Sequence, residues 1–159
     1  MKVDQDEERA RSVALRALDA APRTRSQLEE LLARKEVPPE AAARVLDRFE
    51  EVGLIDDQAL AEALVRTRHA ERGLVGQALA VELRRKGIDP AVAATAMAQL
   101  TREDEAAAAE RWARKKLATT RSLPTEARLR RAAAQLARKG HAPGVALETV
   151  KRLLAEERD

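Results

Sequence analysis

Apolar positions recur along this chain at intervals of three and four, and the blocks they form can be laid over one another. The segments LARKEVPP from Leu32, LRRKGIDP from Leu83 and LARKGHAP from Leu136 share Leu, Arg, Lys and Pro at fixed offsets, displaced by 51 and then 53 residues. Four positions upstream stand Leu28, Leu79 and Ala132, and ten positions past the shared proline stand Phe49, Leu100 and Leu153. These are core positions at helical spacing, repeated in register.

Each unit reads as three helices. In the first, a helix covers residues 5 to 20 and ends at Pro22, Ser26 with Glu29 forms a capping box opening a second helix to Lys35, and Pro38 with Pro39 starts a third running to Val52. In the second, helices cover 56 to 72, 75 to 86 and 90 to 100. Gly87 supplies the left-handed C′ position, Asp89 the next cap, and Pro90 the first helical position, where a missing N–H is no loss. In the third, helices cover 101 to 118, 125 to 139 and 143 to 157, with the loop TTRSLPT between the first two. Glu36 stands where the other units have Gly87 and Gly140, so this turn either strains by roughly 1 kcal/mol in the left-handed region or takes another path.

Composition sharpens this picture. Ala, Leu, Arg, Glu and Lys are strong helix formers, and Phe49 and Trp112 are the sole aromatics. The 34 alanines supply about half of the 45% hydrophobic content, so any core is thin. A three-helix unit this rich in alanine buries little by itself, and neighbouring units must lean on each other. The expected fold is all-α: three tandem three-helix repeats, residues 1–53, 54–100 and 101–159, in an elongated, curved array with a long concave face.

The stretch GLIDDQALAEALVRTR, residues 53 to 68, tests whether Asp56 and Asp57 are chemistry or punctuation. Gly53 follows a helix, Leu54 sits at C″, Ile55 can staple against Leu60, Asp56 is the N-cap, and Asp57 lies where the helix dipole favours a carboxylate. Leu60, Ala61, Leu64 and Val65 form the buried stripe, Arg68 continues it at the helix end, and Arg66 faces solvent. The aspartates are punctuation; the arginines are not needed by the core.

Charge is uneven. Residues 1 to 62 carry 10 basic against 15 acidic side chains, a net of −5, and residues 63 to 159 carry 20 against 12, a net of +8. An anionic partner for the later part follows. Candidate contacts are Arg66, Arg68, Arg72, Arg84, Arg85 and Lys86, then Arg114, Lys115, Lys116, Arg128, Arg130 and Arg131. Cysteine is absent, removing disulfide and thiolate schemes, and no run of about 18 apolar residues is present. A soluble, unexported, cytoplasmic protein is expected. His69 and His141 are isolated, the latter at a core-like repeat position, and no Gly-rich phosphate loop exists. Neither a catalytic residue nor a metal or cofactor site is expected.

Together, RTRSQLEELLARKEV, VLDRFEEVGLIDD, VRTR and ELRRKGID resemble the RecX family, regulators of RecA recombinase. The similarity is dense from Ala14 to Leu100 and thinner beyond, although LARKG returns in the third unit. The chain departs from the family's pattern at Leu60, where an aromatic is usual, and at His141, where Phe is common. The resemblance implies tandem three-helix repeats in a curved molecule that lodges in the groove of a RecA filament. It also implies blocked filament extension and lowered ATP hydrolysis, strand exchange and coprotease activity. Weak, salt-sensitive DNA binding and a monomeric state are further expectations. The competing reading is a helix-turn-helix DNA-binding regulator with residues 39 to 52 as recognition helix, whose net charge of −2 opposes docking on phosphates.

Overall fold

The computed structural model describes residues 1–159, and all regular structure in it is helical. The order is α1 (Lys2–Ala20), α2 (Arg25–Arg34), α3 (Pro39–Glu51), α4 (Asp57–Arg72), α5 (Gly76–Arg85), α6 (Pro90–Met97), α7 (Arg102–Ala118), α8 (Thr125–Arg138) and α9 (Pro143–Arg158). Extensive helix packing is confined to α1–α3, α4–α6 and α7–α9. Each triple encloses its own core: Leu28, Leu32, Leu46 and Phe49 in the first, Val65, Leu79, Leu83 and Ile88 in the second, Leu117, Leu136, Val150 and Leu153 in the third. The accessible surface is 9871 Å². A compact monomer of this mass would expose about 7,900 Å². The excess is what three small bodies in a row require.

Local punctuation follows sequence chemistry with three corrections. The capping box of α2 is Thr24 with Gln27, not Ser26 with Glu29: Thr24 Oγ1 accepts from the Gln27 amide and Gln27 Oε1 accepts from the Thr24 amide, both at 3.1 Å. Both pairs fit the motif, and Thr24 prevails because its hydroxyl also donates to a distant carbonyl described below. Ile55 is buried in the first core cluster, although in sequence it opens the second unit. Helix α6 ends at Met97, three residues early, in a turn through Leu100. Asp56 caps α4 as expected, accepting from the Ala59 amide at 3.0 Å. Asp57 does more than favour the dipole: it accepts from the Arg25 amide at 3.0 Å, joining the second unit to the first.

The joints between units repeat one plan. Thr24, at the N-cap of α2, donates its hydroxyl to the Lys86 carbonyl at the C-cap of α5, at 2.8 Å. Val75, at the N-cap of α5, donates its amide to the Lys139 carbonyl at the C-cap of α8, at 2.9 Å. The second helices are thus strung tail to head, with the negative end of each dipole meeting the positive end of the next. This approach explains the glycines. A Cβ at Gly87 would lie 2.8 Å from Ser26 Cβ, and one at Gly140 would lie 1.9 Å from the Val75 carbonyl oxygen. Both residues also hold positive φ, +85° and +105°.

The two ends of the string differ from its joints. Glu36, at the equivalent position on α2, does adopt the left-handed conformation at φ 62°, and its carbonyl accepts from Arg9 at 2.9 Å. No further unit packs there, so a side chain is sterically allowed and only backbone strain remains. At the other end, the residue equivalent to Thr24 and Val75 is Arg128. It lies inside α8, which begins about one turn earlier than its counterparts, so the docking position is enclosed.

Candidate partner-binding surface

The candidate cations fall into three groups once placed. Arg66 on α4 and Arg84, Arg85 and Lys86 at the end of α5 are exposed and form no ion pair. Arg68 and Arg72, one turn apart on α4, converge on Glu82 of α5. Arg72 pairs with one carboxylate oxygen, and Arg68 Nε lies 3.9 Å from the other. The hydrogen bond from Arg72 holds the Glu82 carboxyl below the usual range. These two arginines therefore brace the second unit while presenting the remainder of their guanidinium groups outward.

In the third unit two candidates are committed internally. Arg114 pairs with Glu110 at 2.9 Å and Glu156 at 3.0 Å, and Arg152 bridges the same two carboxylates, locking α7 to α9. Arg128 is buried. It donates to both Glu157 oxygens at 2.8 and 3.1 Å and to the Leu117 carbonyl at 2.9 Å, and this pairing holds the Glu157 carboxyl low. Its place inside α8 makes it a core cation rather than a surface contact, and it leaves the candidate set. Lys115, Arg130 and Arg131 are exposed and Lys116 is half-buried; none of the four forms an ion pair.

A further cationic group was not singled out from sequence. Trp112 packs against Gly73 across the joint between the second and third units. Around its ring stand Lys139 Nζ at 3.8 Å, Lys115 Nζ at 4.8 Å and Arg111 Cζ at 5.9 Å from the centroid. Lys139 Nζ also donates to the Arg72 carbonyl at 2.6 Å, closing the C-terminus of α4. Burial, and then the charges of Arg72, Lys115 and Arg138, push the Lys139 ammonium down from its ordinary value. A signal was present: Lys35, Lys86 and Lys139 are the repeated lysine of the LARK motif, and Lys86 is itself among the candidate contacts.

The joint between the first and second units has the opposite character. There Arg25 is enclosed by Asp47 at 2.6 Å, Glu50 at 2.7 Å and Glu29 at 2.9 Å, with Asp57 against its backbone. One arginine among four carboxylates leaves this joint acidic. No group of three or more His, Asp or Glu side chains is placed to hold a metal ion. No helix is long and apolar enough to cross a membrane.

Comparison with known proteins decides the family. Residues 10–49 match the family model described as RecX, first three-helix domain, and residues 56–97 match RecX, second three-helix domain. The chain belongs to the RecX family. It is 51% identical over 150 residues to the Regulatory protein RecX of Streptomyces coelicolor, covering 94% of this chain and 80% of that one. It is 48% identical over 149 residues to the Regulatory protein RecX of Thermobifida fusca, with the same coverage. The fold is similar to the crystal structure of RecX from Lactobacillus salivarius, with a TM-score of 0.86 at 20% identity, covering 96% of this chain and 99% of that one. A second crystal structure, of a regulatory protein RecX, superposes with a TM-score of 0.82 at 28% identity, covering 95% and 74%. RecX relatives are thus named as regulators, and the tandem three-helix architecture is shared.

Proposed function

We propose that this protein is a cytoplasmic regulator that binds the RecA filament on DNA and inhibits its extension and, with it, ATP hydrolysis, strand exchange and coprotease activity. Membership of the RecX family carries the reading. Its physics is supported by an extended row of units able to reach along a polymer and by exposed cations at Arg66, Arg84, Arg85 and Lys86 for an acidic protein surface or phosphates. On this reading any change in ATP turnover belongs to the partner. The closed ends of the helix string favour a monomer.

The helix-turn-helix alternative gains nothing from the geometry. On α3, Arg44 is paired with Glu7 and Arg48 with Glu51, so the would-be recognition helix offers no free cation to phosphates.

The test adds the protein to preformed RecA filaments on single-stranded DNA and follows ATP hydrolysis together with filament length. Both fall with the wild-type chain. The double reversal Arg66→Glu with Arg84→Glu, at exposed positions that brace nothing, weakens inhibition at least tenfold and flattens its salt dependence. No effect of the wild-type chain on either readout refutes the function. Full inhibition by the reversed variant refutes the role of these cations.

A further inference from the structure

We infer that the joint between the second and third units is a seat for the phosphodiester backbone of single-stranded nucleic acid, formed by Arg111, Lys115 and Lys139 around Trp112 with Arg72 and Arg138 next to Lys139. This deepens the phosphate-contacting part of the proposed function and rests on that reading for its biological setting.

The first reason is uncompensated charge. Lys139, Lys115 and Arg111 are gathered within about 6 Å of one ring centroid, as their measured distances of 3.8, 4.8 and 5.9 Å show. None of the three, nor Arg138, is paired with a carboxylate. The acids at its edges are already bound, Glu82 by Arg72 and Glu110 with Glu156 by Arg114. Like charges held this close repel one another, and an anion that enters among them relieves that repulsion. Burial first, and then repulsion from Arg72, Lys115 and Arg138, lowers the affinity of Lys139 for its proton.

The second reason is the kind of donor present. A pocket for a free phosphate is lined by backbone N–H groups at a helix N-terminus. Here two helices end, α4 at Arg72 and α8 at Arg138, and the adjacent amides are already used: Gly73 donates to His69 and Val75 to Lys139. Side-chain cations remain, Lys139 held by the Arg72 carbonyl and Arg111 at 3.4 Å from the Ala70 carbonyl, beside an open surface that includes the depression bounded by Arg111, Trp112, Arg114 and Lys115. Such an arrangement tracks a polyanion without reading its sequence. Trp112 is half-buried under these cations, so bases find no free stacking face while they remain on the ring.

The site carries its own reporter, because Trp112 is the single tryptophan. Phosphates that draw Lys115 and Arg111 off the ring alter its emission. The experiment titrates the full chain with a short oligothymidylate and reads Trp112 fluorescence at several salt concentrations. A saturable change is expected that weakens steeply with salt. In Arg111→Gln with Lys115→Gln, both at exposed positions, the slope of log affinity against log salt falls by about 1.4. The single variant Lys115→Gln loses about half of that. Arg34→Gln with Lys35→Gln removes the same charge from the far end of the molecule and leaves the slope unchanged.

Four outcomes overturn the inference. Silence of the wild-type emission shows that no anion displaces the cations. Equal loss in the distal control shows a diffuse field rather than a seat. Saturation by ATP or inorganic phosphate as readily as by the oligonucleotide shows a mononucleotide or free-anion site. Tighter binding of polyglutamate than of the oligonucleotide shows a surface for protein carboxylates. All arms omit RecA, so failure here leaves the filament reading standing, whereas a chain without effect on RecA filaments fails that reading alone.

Discussion

Replacing Gly140 by alanine tests the view that the units are joined through tail-to-head contacts of their second helices. The new Cβ would lie 1.9 Å from the Val75 carbonyl oxygen and 2.8 Å from the Val75 carbonyl carbon, backbone atoms at the start of α5 that cannot rotate aside. The residue also holds φ +105°, a region that costs an L-residue roughly 1–2 kcal/mol. Relief of the clash requires the joint to open, which sacrifices the Val75 to Lys139 hydrogen bond, worth about 1 kcal/mol. The loss is about 2–3 kcal/mol, and for a chain of this size that lowers Tm by about 5–10 °C. Because the units share so few contacts, urea unfolding should also broaden as the third unit melts apart from the other two. Glu36→Gly is the counter-experiment: it relieves the left-handed strain at a position with no neighbour, and should raise stability by up to about 1 kcal/mol. Unchanged Tm and an unchanged urea slope for Gly140→Ala would refute the joint as described.

Two further outcomes follow from buried polar groups. His141 is 5% exposed, its Nε2 has no partner, and burial, followed by the charge of His69, holds its imidazole below the ordinary value of 6.5, with Lys139 adding to the effect and a hydrogen bond to the Gly73 backbone opposing it. The unfolded chain therefore takes up this proton at higher pH than the folded one, so its penalty is absent above 6.5 and grows as pH falls below that value. His141→Phe should remove that acid sensitivity in thermal melts between pH 7.5 and 5, and stabilise the chain by roughly 1 kcal/mol at neutral pH. Arg128→Met should cost about 2 kcal/mol in urea unfolding by removing the charge-assisted hydrogen bonds to Glu157 and to the Leu117 carbonyl, which keeps its Thr120 donors, while leaving RecA inhibition by the folded protein unchanged.

Much of the fold was legible because the signals were local. Asp56, Asp89 and Pro90 act through neighbours within a turn, Gly87 and Gly140 mark helix ends by their positive φ although their close contacts with Ser26 and Val75 lie between units, and the displacements of 51 and 53 residues needed only the sequence laid over itself. What escaped was decided between units. Thr24 and Ser26 present equally good capping motifs, and the carbonyl of Lys86, 62 residues away, selects Thr24. Arg128 looks like one more cation of a basic stretch until α8 gains its extra turn and draws the side chain under Glu157. Arg114 is indistinguishable from Lys115 by charge, yet only the arginine lies opposite Glu156. The group around Trp112 joins the end of α4 to the end of α8, and no helical period can express that proximity.

The middle unit alone carries both halves of the coupling, an open N-cap at Val75 and a glycine at Gly87, while each outer unit has one half sealed. A gene duplication confined to that middle segment would yield a chain whose extra module fits at once, whereas copying either terminal module would demand a simultaneous repair of Glu36 or Arg128. Length in this lineage is therefore expected to grow from the centre outward, as a train lengthens by inserting carriages between its two closed ends.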